Sequence, residues 1–150
     1  MRDCVFCRII AKEEPAYIIY EDDKALAFLE HRPSSPGHTM VIPKKHGETL
    51  VDFSPSELSM VFRAVQTVVK ALEKTFATTM LTIGTNYGEL SGVPHLHIHC
   101  IPRFPDDGGG IIQSVVYNRP KEDLKTIQER IKRHIQGCPP VLTWRLTYCS

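Results

Sequence analysis

Apolar residues recur along the chain in two rhythms, which separate predicted strands from predicted helices. Short runs rich in β-branched, aromatic and aliphatic residues predict five strands, over residues 17–21, 25–29, 39–43, 80–86 and 95–101. The first two runs flank a short polar turn at 22–24. Because the connections between strands are short, we expect a mostly antiparallel sheet.

A longer segment, about 55–76, carries apolar residues three and four positions apart, as one face of a helix does. Ser54 is its candidate N-cap, Pro55 suits the first helical position, and Glu57 completes a capping box. The apolar stripe should cover the sheet and consists of Leu58, Val61, Phe62, Val65, Val68, Val69 and Leu72.

A second helix is predicted over about 120–136, with Asn118 and Pro120 at its start and Gly137 at its end. Strands followed by a helix and then by more strands are typical of the α+β class. The expected architecture is therefore a mostly antiparallel sheet of about five strands, with the main helix packed on it and a C-terminal helix.

The composition is that of a single globular domain, with 150 residues of which 42% are hydrophobic. A formal net charge of +1 gives no basic footprint for nucleic acid or for a membrane surface. No apolar run is long enough to span a bilayer, and the first residues do not form a signal peptide. Five cysteines are an odd number for a disulfide framework, so we expect reduced thiols and a cytoplasmic protein.

The last predicted strand holds the clearest candidate chemistry, because His95, His97 and His99 alternate there with apolar residues. Side chains two positions apart lie on the same face of a strand, so the three imidazoles share one face. Three protonated imidazoles on one face would repel one another. Some should be neutral near pH 7 and available as nucleophile, base or metal ligand.

A second candidate site is the Cys-x-x-Cys pair formed by Cys4 and Cys7. Two thiolates at this spacing reach one tetrahedral ion, which indicates a structural metal site if two further ligands are near. The alternative is a pair of reduced, partly buried cysteines without a metal. A redox motif is disfavoured, because it needs a strand before the first cysteine and only residues 1–3 precede it.

The order His-apolar-His-apolar-His-apolar-apolar over 95–101 resembles the signature of the histidine triad (HIT) superfamily. Further segments look like its Hint-type branch in the same order, namely 6–10, 18–28, 36–46 and Asn86. With its Cys-x-x-Cys, the chain is most similar to a bacterial or archaeal form that has an N-terminal zinc site. The resemblance is strongest over 4–105 and implies a HIT-like fold in a domain 1–137, followed by a tail 138–150.

The resemblance assigns the chemistry to four histidines. It makes His97 the nucleophile, which forms a nucleotidyl-histidine intermediate that water then cleaves. The attacking nitrogen must be free, so the other ring nitrogen should donate to a nearby backbone carbonyl. His99 would interact with the leaving group or a phosphoryl oxygen, and His38 would orient the cluster. His95 completes the triad and, with Cys4, Cys7 and His46, would bind structural Zn²⁺.

The resemblance also implies a nucleotide-binding site. Its base pocket would contain aromatic and aliphatic side chains, a carboxylate would bind the ribose hydroxyls, and a loop before the triad would bind the α-phosphate. That loop looks about two residues shorter than in close relatives, which bears on the choice of leaving group. The implied substrate-binding residues are Phe6, Ile9, Phe28, Leu29, Glu30, His31, Asn86, Ser91, Gly92, Val93, His97 and His99.

The resulting prediction is a nucleotide hydrolase that cleaves a P–N or P–O–P bond at the α-phosphate and releases a nucleoside monophosphate. Its purine nucleotide substrate is a nucleoside phosphoramidate or a dinucleoside polyphosphate. The alternative is a nucleotide-binding or interaction protein whose slow hydrolysis is incidental. A homodimer is expected, because the apolar stripe of the main helix is broader than one sheet-covering face needs.

Overall fold

The computed structural model describes residues 4–135. The chain divides into two compact units, Met1–Ile112 and Gln113–Ser150. The predicted domain end at 137 and the tail 138–150 lie outside the described residues. Among the helices of residues 4–135, none is both long and apolar enough to cross a membrane.

The first unit is built on a five-stranded sheet in which every neighbouring pair is antiparallel, as predicted. In spatial order the strands run β1-β2-β3-β5-β4, so β3 and β5 lie side by side although the main helix separates them in sequence. The strands are β1 (Ile18–Glu21), β2 (Ala25–Leu29), β3 (Thr39–Pro43), β4 (Leu81–Gly84) and β5 (Ile98–Pro102).

The fifth strand begins later than predicted, and so His95 and His97 precede it. The β3–β5 pairing reaches Val41 opposite Ile98. Two positions further along β3 lies Pro43, which has no N–H to continue the ladder. The chain before Ile98 is held instead by a hydrogen bond of 2.7 Å from the N–H of Leu96 to the carbonyl of Gly47. The predicted strand 80–86 is likewise shorter, since it covers only β4.

Helix α2 (Pro55–Phe76) has the predicted bounds and the predicted cap. Ser54 and Glu57 each accept a hydrogen bond from the other's backbone N–H, at 3.3 and 2.8 Å. The buried face of α2 packs on one side of the sheet. Phe62, which was predicted to share that face, is 49% exposed. The buried core residues of α2 are Val61, Ala64, Val65, Val68 and Leu72.

A short helix that the sequence pattern did not predict, α1 (Val5–Ile10), contributes to a second core cluster. Its buried residues Phe6 and Ile9 pack with Leu26 and Phe28 of β2. The alternate β2 residues, Ala25 and Ala27, belong to the α2 core. Because side chains alternate along a strand, the central sheet is covered on both faces.

In the second unit, helix α3 (Leu124–Ile135) starts later than the predicted 120, and Asn118 and Pro120 lie outside it. Asp123 caps it, because its carboxylate accepts hydrogen bonds from the backbone N–H and the hydroxyl of Thr126, at 3.0 and 2.7 Å. A carboxylate that satisfies these first-turn donors fixes the start of a helix better than a proline that merely tolerates it.

Candidate functional site

A cavity of about 730 Å³ opens in the first unit beside the histidines. This volume lies within the range of small-molecule sites. All twelve residues that were predicted to bind substrate line it, namely Phe6, Ile9, Phe28, Leu29, Glu30, His31, Asn86, Ser91, Gly92, Val93, His97 and His99.

Phe6 connects the apolar part of this cavity to the triad. Its ring lies edge-on to Phe28, with centroids 5.5 Å apart, and also to His95 and His97, at 5.8 and 5.3 Å. Phe6 comes from α1, and Phe28 from the face of β2 that α2 does not cover. An aromatic wall against the His97 imidazole suits a ligand that is flat at one end and polar at the other.

The hydrogen bond of His97 defines which of its nitrogens is free. Nδ1 lies 2.8 Å from the backbone carbonyl oxygen of His95, and His97 is buried. A carbonyl only accepts, so Nδ1 carries the proton. In the neutral ring Nε2 therefore holds a lone pair, which is the state expected of a nucleophilic histidine.

His38 and His99 belong to a chain of hydrogen bonds in which each group donates to the next, from Ser34 to His38 to His99. The backbone N–H of Ser34 donates to Nδ1 of His38 at 3.1 Å, so the proton of His38 is on Nε2. That Nε2–H donates to Nδ1 of His99 at 2.9 Å. The proton of His99 is consequently on its own Nε2, and this N–H is a donor for a ligand in the cavity that His99 lines.

Burial keeps these two imidazoles neutral near pH 7. Desolvation, with His97 and His38 nearby, lowers the pKa of His99 to about 4. Desolvation likewise lowers the pKa of His38, although the carboxylate of Glu30 partly opposes it. For Glu30 itself burial alone would raise the pKa, but a hydrogen bond from the N–H of Arg32 and the neighbouring histidines lower it.

The four predicted metal ligands converge on one point. Their ligand atoms all lie within 4.8 Å of one another. Sγ of Cys7 is 3.3 Å from Nδ1 of His46, and Nδ1 of His95 is 3.5 Å from Sγ of Cys4 and 3.7 Å from Sγ of Cys7. A tetrahedral zinc ion with bonds of about 2.3 Å to sulfur and about 2.0 Å to nitrogen separates sulfur from nitrogen by about 3.5 Å. The geometry therefore fits a metal bound by two thiolates and two imidazoles.

The second nitrogen of His95 supports the same interpretation. Nε2 lies 2.9 Å from the carbonyl oxygen of Pro43, so it carries the proton and leaves Nδ1 free for a metal. Because the backbone carbonyl of His95 also holds His97, the metal group and the triad share one residue.

A model of the HIT domain matches residues 11–106. The chain belongs to the HIT domain family. It is 34% identical over 141 residues to the adenylylsulfatase HINT3 of Arabidopsis thaliana. The aligned region covers 91% of this chain and 72% of that protein.

Solved HIT structures resemble the chain over most of its length. A HIT family protein from Bacillus anthracis has a TM-score of 0.79 and 29% identity, covering 91% of this chain and 98% of that one. A zinc-bound histidine triad family protein from Mycobacterium smegmatis has a TM-score of 0.66 and 31% identity, covering 81% of this chain and 85% of that one. The predicted family and its fold are confirmed.

Six further residues of this HIT protein line the cavity but were not predicted. Met40 could have been found, because it pairs with Phe28 in the β2–β3 register and so lies on the same sheet face. Val5 is next to Phe6 in α1. The others precede β1 in an irregular connection, where Lys12 has φ 62°. No hydrophobic period describes residues 14–16, and Tyr17 was predicted only as the first residue of a strand. That connection supplies Glu14, Pro15, Ala16 and Tyr17 to the cavity wall.

Proposed function

We propose that this HIT protein is a nucleotide hydrolase that cleaves a P–N or P–O–P bond at the α-phosphate of a purine nucleotide. The observation that carries the proposal is the state of His97, whose protonated Nδ1 leaves a lone pair on Nε2. The ring of His99 lies beside it, with centroids 4.9 Å apart. Nucleophile and hydrogen-bond donor thus share one cavity.

In the first step, the lone pair on Nε2 of His97 forms a bond to the α-phosphorus. The bond from phosphorus to the leaving nitrogen or oxygen breaks, and the leaving group departs with its electron pair. The Nε2–H of His99 donates a hydrogen bond to the leaving atom or to a phosphoryl oxygen. The carbonyl of His95 stabilises the positive charge that the phosphorylated ring acquires.

In the second step, water attacks the α-phosphorus and the bond to His97 breaks, which returns the electron pair to Nε2. One water is consumed overall. Its hydroxyl group remains on the released nucleoside monophosphate and its proton ends on the leaving group.

The Cys4, Cys7, His46 and His95 group is proposed to hold a structural Zn²⁺. The ion would cross-link α1 to the segment before β5 and take no part in the two steps. The zinc-bound relative from Mycobacterium smegmatis and the spacing of the four ligand atoms support this assignment.

Trapping of the intermediate tests the proposed reaction. Protein mixed with adenosine or guanosine 5′-phosphoramidate, and separately with a dinucleoside tetraphosphate, is quenched within one turnover and analysed by intact mass spectrometry. We expect a nucleotidyl adduct in the native protein and none in His97→Ala, with His134→Ala as the exposed-histidine control. Tight nucleotide binding without an adduct would support the alternative, a binding protein.

A homodimer is proposed as well, supported by apolar side chains that one chain leaves exposed, such as Phe62 on α2 and Ile83 on β4. A cytoplasmic location and the absence of a nucleic-acid partner stay predictions.

A further inference from the structure

The cavity is lined by two carboxylates, Glu14 and Glu30, which come from different segments of the chain. Glu30 follows β2 and lies on the histidine side, because its backbone N–H donates to the carbonyl of His38 at 2.9 Å. Its charge also acts on both His38 and His99. If the α-phosphate binds at His97, Glu30 is the carboxylate that is close to the reacting end.

Glu14 lies on the α1 side of the cavity. Its backbone N–H donates a hydrogen bond of 3.3 Å to the carbonyl of Arg8 in α1. The Arg8 guanidinium in turn donates to Oε2 of Glu14, also at 3.3 Å. Within residues 4–135, Oε2 has this one partner and Oε1 has no hydrogen bond. The carboxylate thus has accepting capacity left beside the apolar wall that includes Ile9 and Phe6.

A nucleotide is linear in the order phosphate, ribose, base. With the phosphate at the histidines and the ribose beside Glu30, the base extends along the Phe6 wall toward the α1 side. Of the two carboxylates that line the cavity, Glu14 is then the one available to the polar edge of the base. The Arg8 guanidinium contacts Oε2 of Glu14 and orients this carboxylate, whose oxygens accept hydrogen bonds.

The purine whose edge suits such an acceptor is guanine. Its ring N1–H and its exocyclic amino group are adjacent donors, and one carboxylate accepts from both. Adenine presents a ring nitrogen beside its amino group, and the lone pair of that nitrogen repels a carboxylate. A site built to accept a pair of donors rejects an analogue that lacks one of them.

We propose that Glu14 reads the base and makes the cavity prefer guanine nucleotides to adenine nucleotides. This inference rests on the proposed function, because it uses the phosphate position at His97. The base preference concerns binding of the product nucleotide, however, so affinities for nucleoside monophosphates test it without catalysis.

The test is calorimetric titration of the full-length, metal-loaded protein with GMP, IMP and AMP. IMP has the ring N1–H but lacks the exocyclic amino group, so it separates the two donors. We expect GMP to bind about tenfold to a hundredfold more tightly than AMP, the range for hydrogen bonds to a charged group, with IMP between them. Glu14→Gln should weaken GMP binding toward the level of AMP and should not weaken AMP binding, because the amide offers a donor beside an acceptor and so suits the adenine edge.

Glu13→Gln is the matched control, since Glu13 is exposed, adjacent in sequence and not part of the cavity wall. Equal affinities for GMP and AMP in the native protein would overturn the proposal. So would a Glu14→Gln effect of the same size on all three nucleotides. A preference for GMP that depends on Glu14, combined with no adduct on His97, would refute the hydrolase and retain the base-reading role.

Discussion

The backbone carbonyl of His95 accepts a hydrogen bond from Nδ1 of His97 at 2.8 Å, while the His95 side chain points its own Nδ1 at the two cysteines. A residue of the proposed metal group thus holds the proposed nucleophile in one tautomer. His95 itself is fully buried and fixed by the carbonyl of Pro43. One residue, His95, and one hydrogen bond therefore connect the metal group to the His97 ring. A disturbance of the metal group should consequently change the position of the His97 imidazole.

Replacement of His97 by alanine should abolish hydrolysis and leave nucleotide binding largely intact. Loss of the nucleophile removes the covalent route, so we expect kcat to fall by at least about a thousandfold, with a circular dichroism spectrum like that of the native protein. Steady-state kinetics on a nucleoside phosphoramidate measure kcat, and His134→Ala is the control variant. Turnover within about tenfold of native would show that His97 is not the nucleophile.

The pH dependence of stability should report the buried histidine pair. The pKa of His99 is lowered from 6.5 to about 4, and that of His38 is lowered as well. Between pH 6.5 and about 4 the unfolded chain therefore binds more protons than the folded chain, and the free energy of unfolding should fall as the pH falls through this window.

Urea unfolding at a series of pH values measures this effect. In His99→Asn, which lacks the titrating ring, the decline between pH 6.5 and 4 should be shallower, whereas the exposed-histidine variant His134→Asn should follow the native curve. Parallel curves for the native protein and His99→Asn would contradict the lowered pKa.

Much of this arrangement follows from sequence, because the signals are local and strong. The capping box of Ser54 and Glu57 defines the start of α2, and the period of two places His97 and His99 next to each other in space. The convergence of Cys4 with His95 came from family resemblance, since no local pattern relates residues 91 positions apart.

The parts that sequence did not predict depend on tertiary context. Helix α1 has six residues, too few for a hydrophobic period, and it is stabilised by burial of Phe6 and Ile9. Glu14 enters the cavity wall through a connection of irregular backbone. The late start of β5 depends on Pro43 in the neighbouring strand, which no inspection of 95–101 alone reveals.

We expect one Zn²⁺ per chain in protein purified without chelator, as measured by elemental analysis. Cys4→Ser and Cys7→Ser should lose the ion and lower Tm, because α1 would lose its cross-link to His95. Since Phe6 lies between the two cysteines and contacts His97, removal of the ion should also weaken nucleotide binding. In chelator-treated native protein, added Zn²⁺ should restore both the Tm and the nucleotide binding. Absence of zinc, with both serine variants as stable as native, would rule out the site.

Gly37, in the loop that carries His38, should be harder to replace than Gly108. Its φ is 80°, and a Cβ there would clash with the ring of Phe76. Gly108 has a similar φ of 72° but open space around it, so Gly108→Ala isolates the backbone strain, about 1–2 kcal/mol. Gly37→Ala should lower the free energy of unfolding by more than Gly108→Ala does, as measured by urea titration. Equal losses would mean that Phe76 moves aside without cost.

The oligomeric state can be predicted from the apolar surface that one chain leaves uncovered. Phe62 is 49% exposed on α2, and Ile83 is 41% exposed on the edge strand β4. A second copy that covers these side chains gives a two-fold dimer. Light scattering at micromolar concentration should give a mass near twice the 17.0 kDa of one chain. Phe62→Asp should shift this mass toward that of a single chain, whereas Thr67→Asp, at an exposed polar position of the same helix, should not. A native mass near 17.0 kDa would refute the dimer.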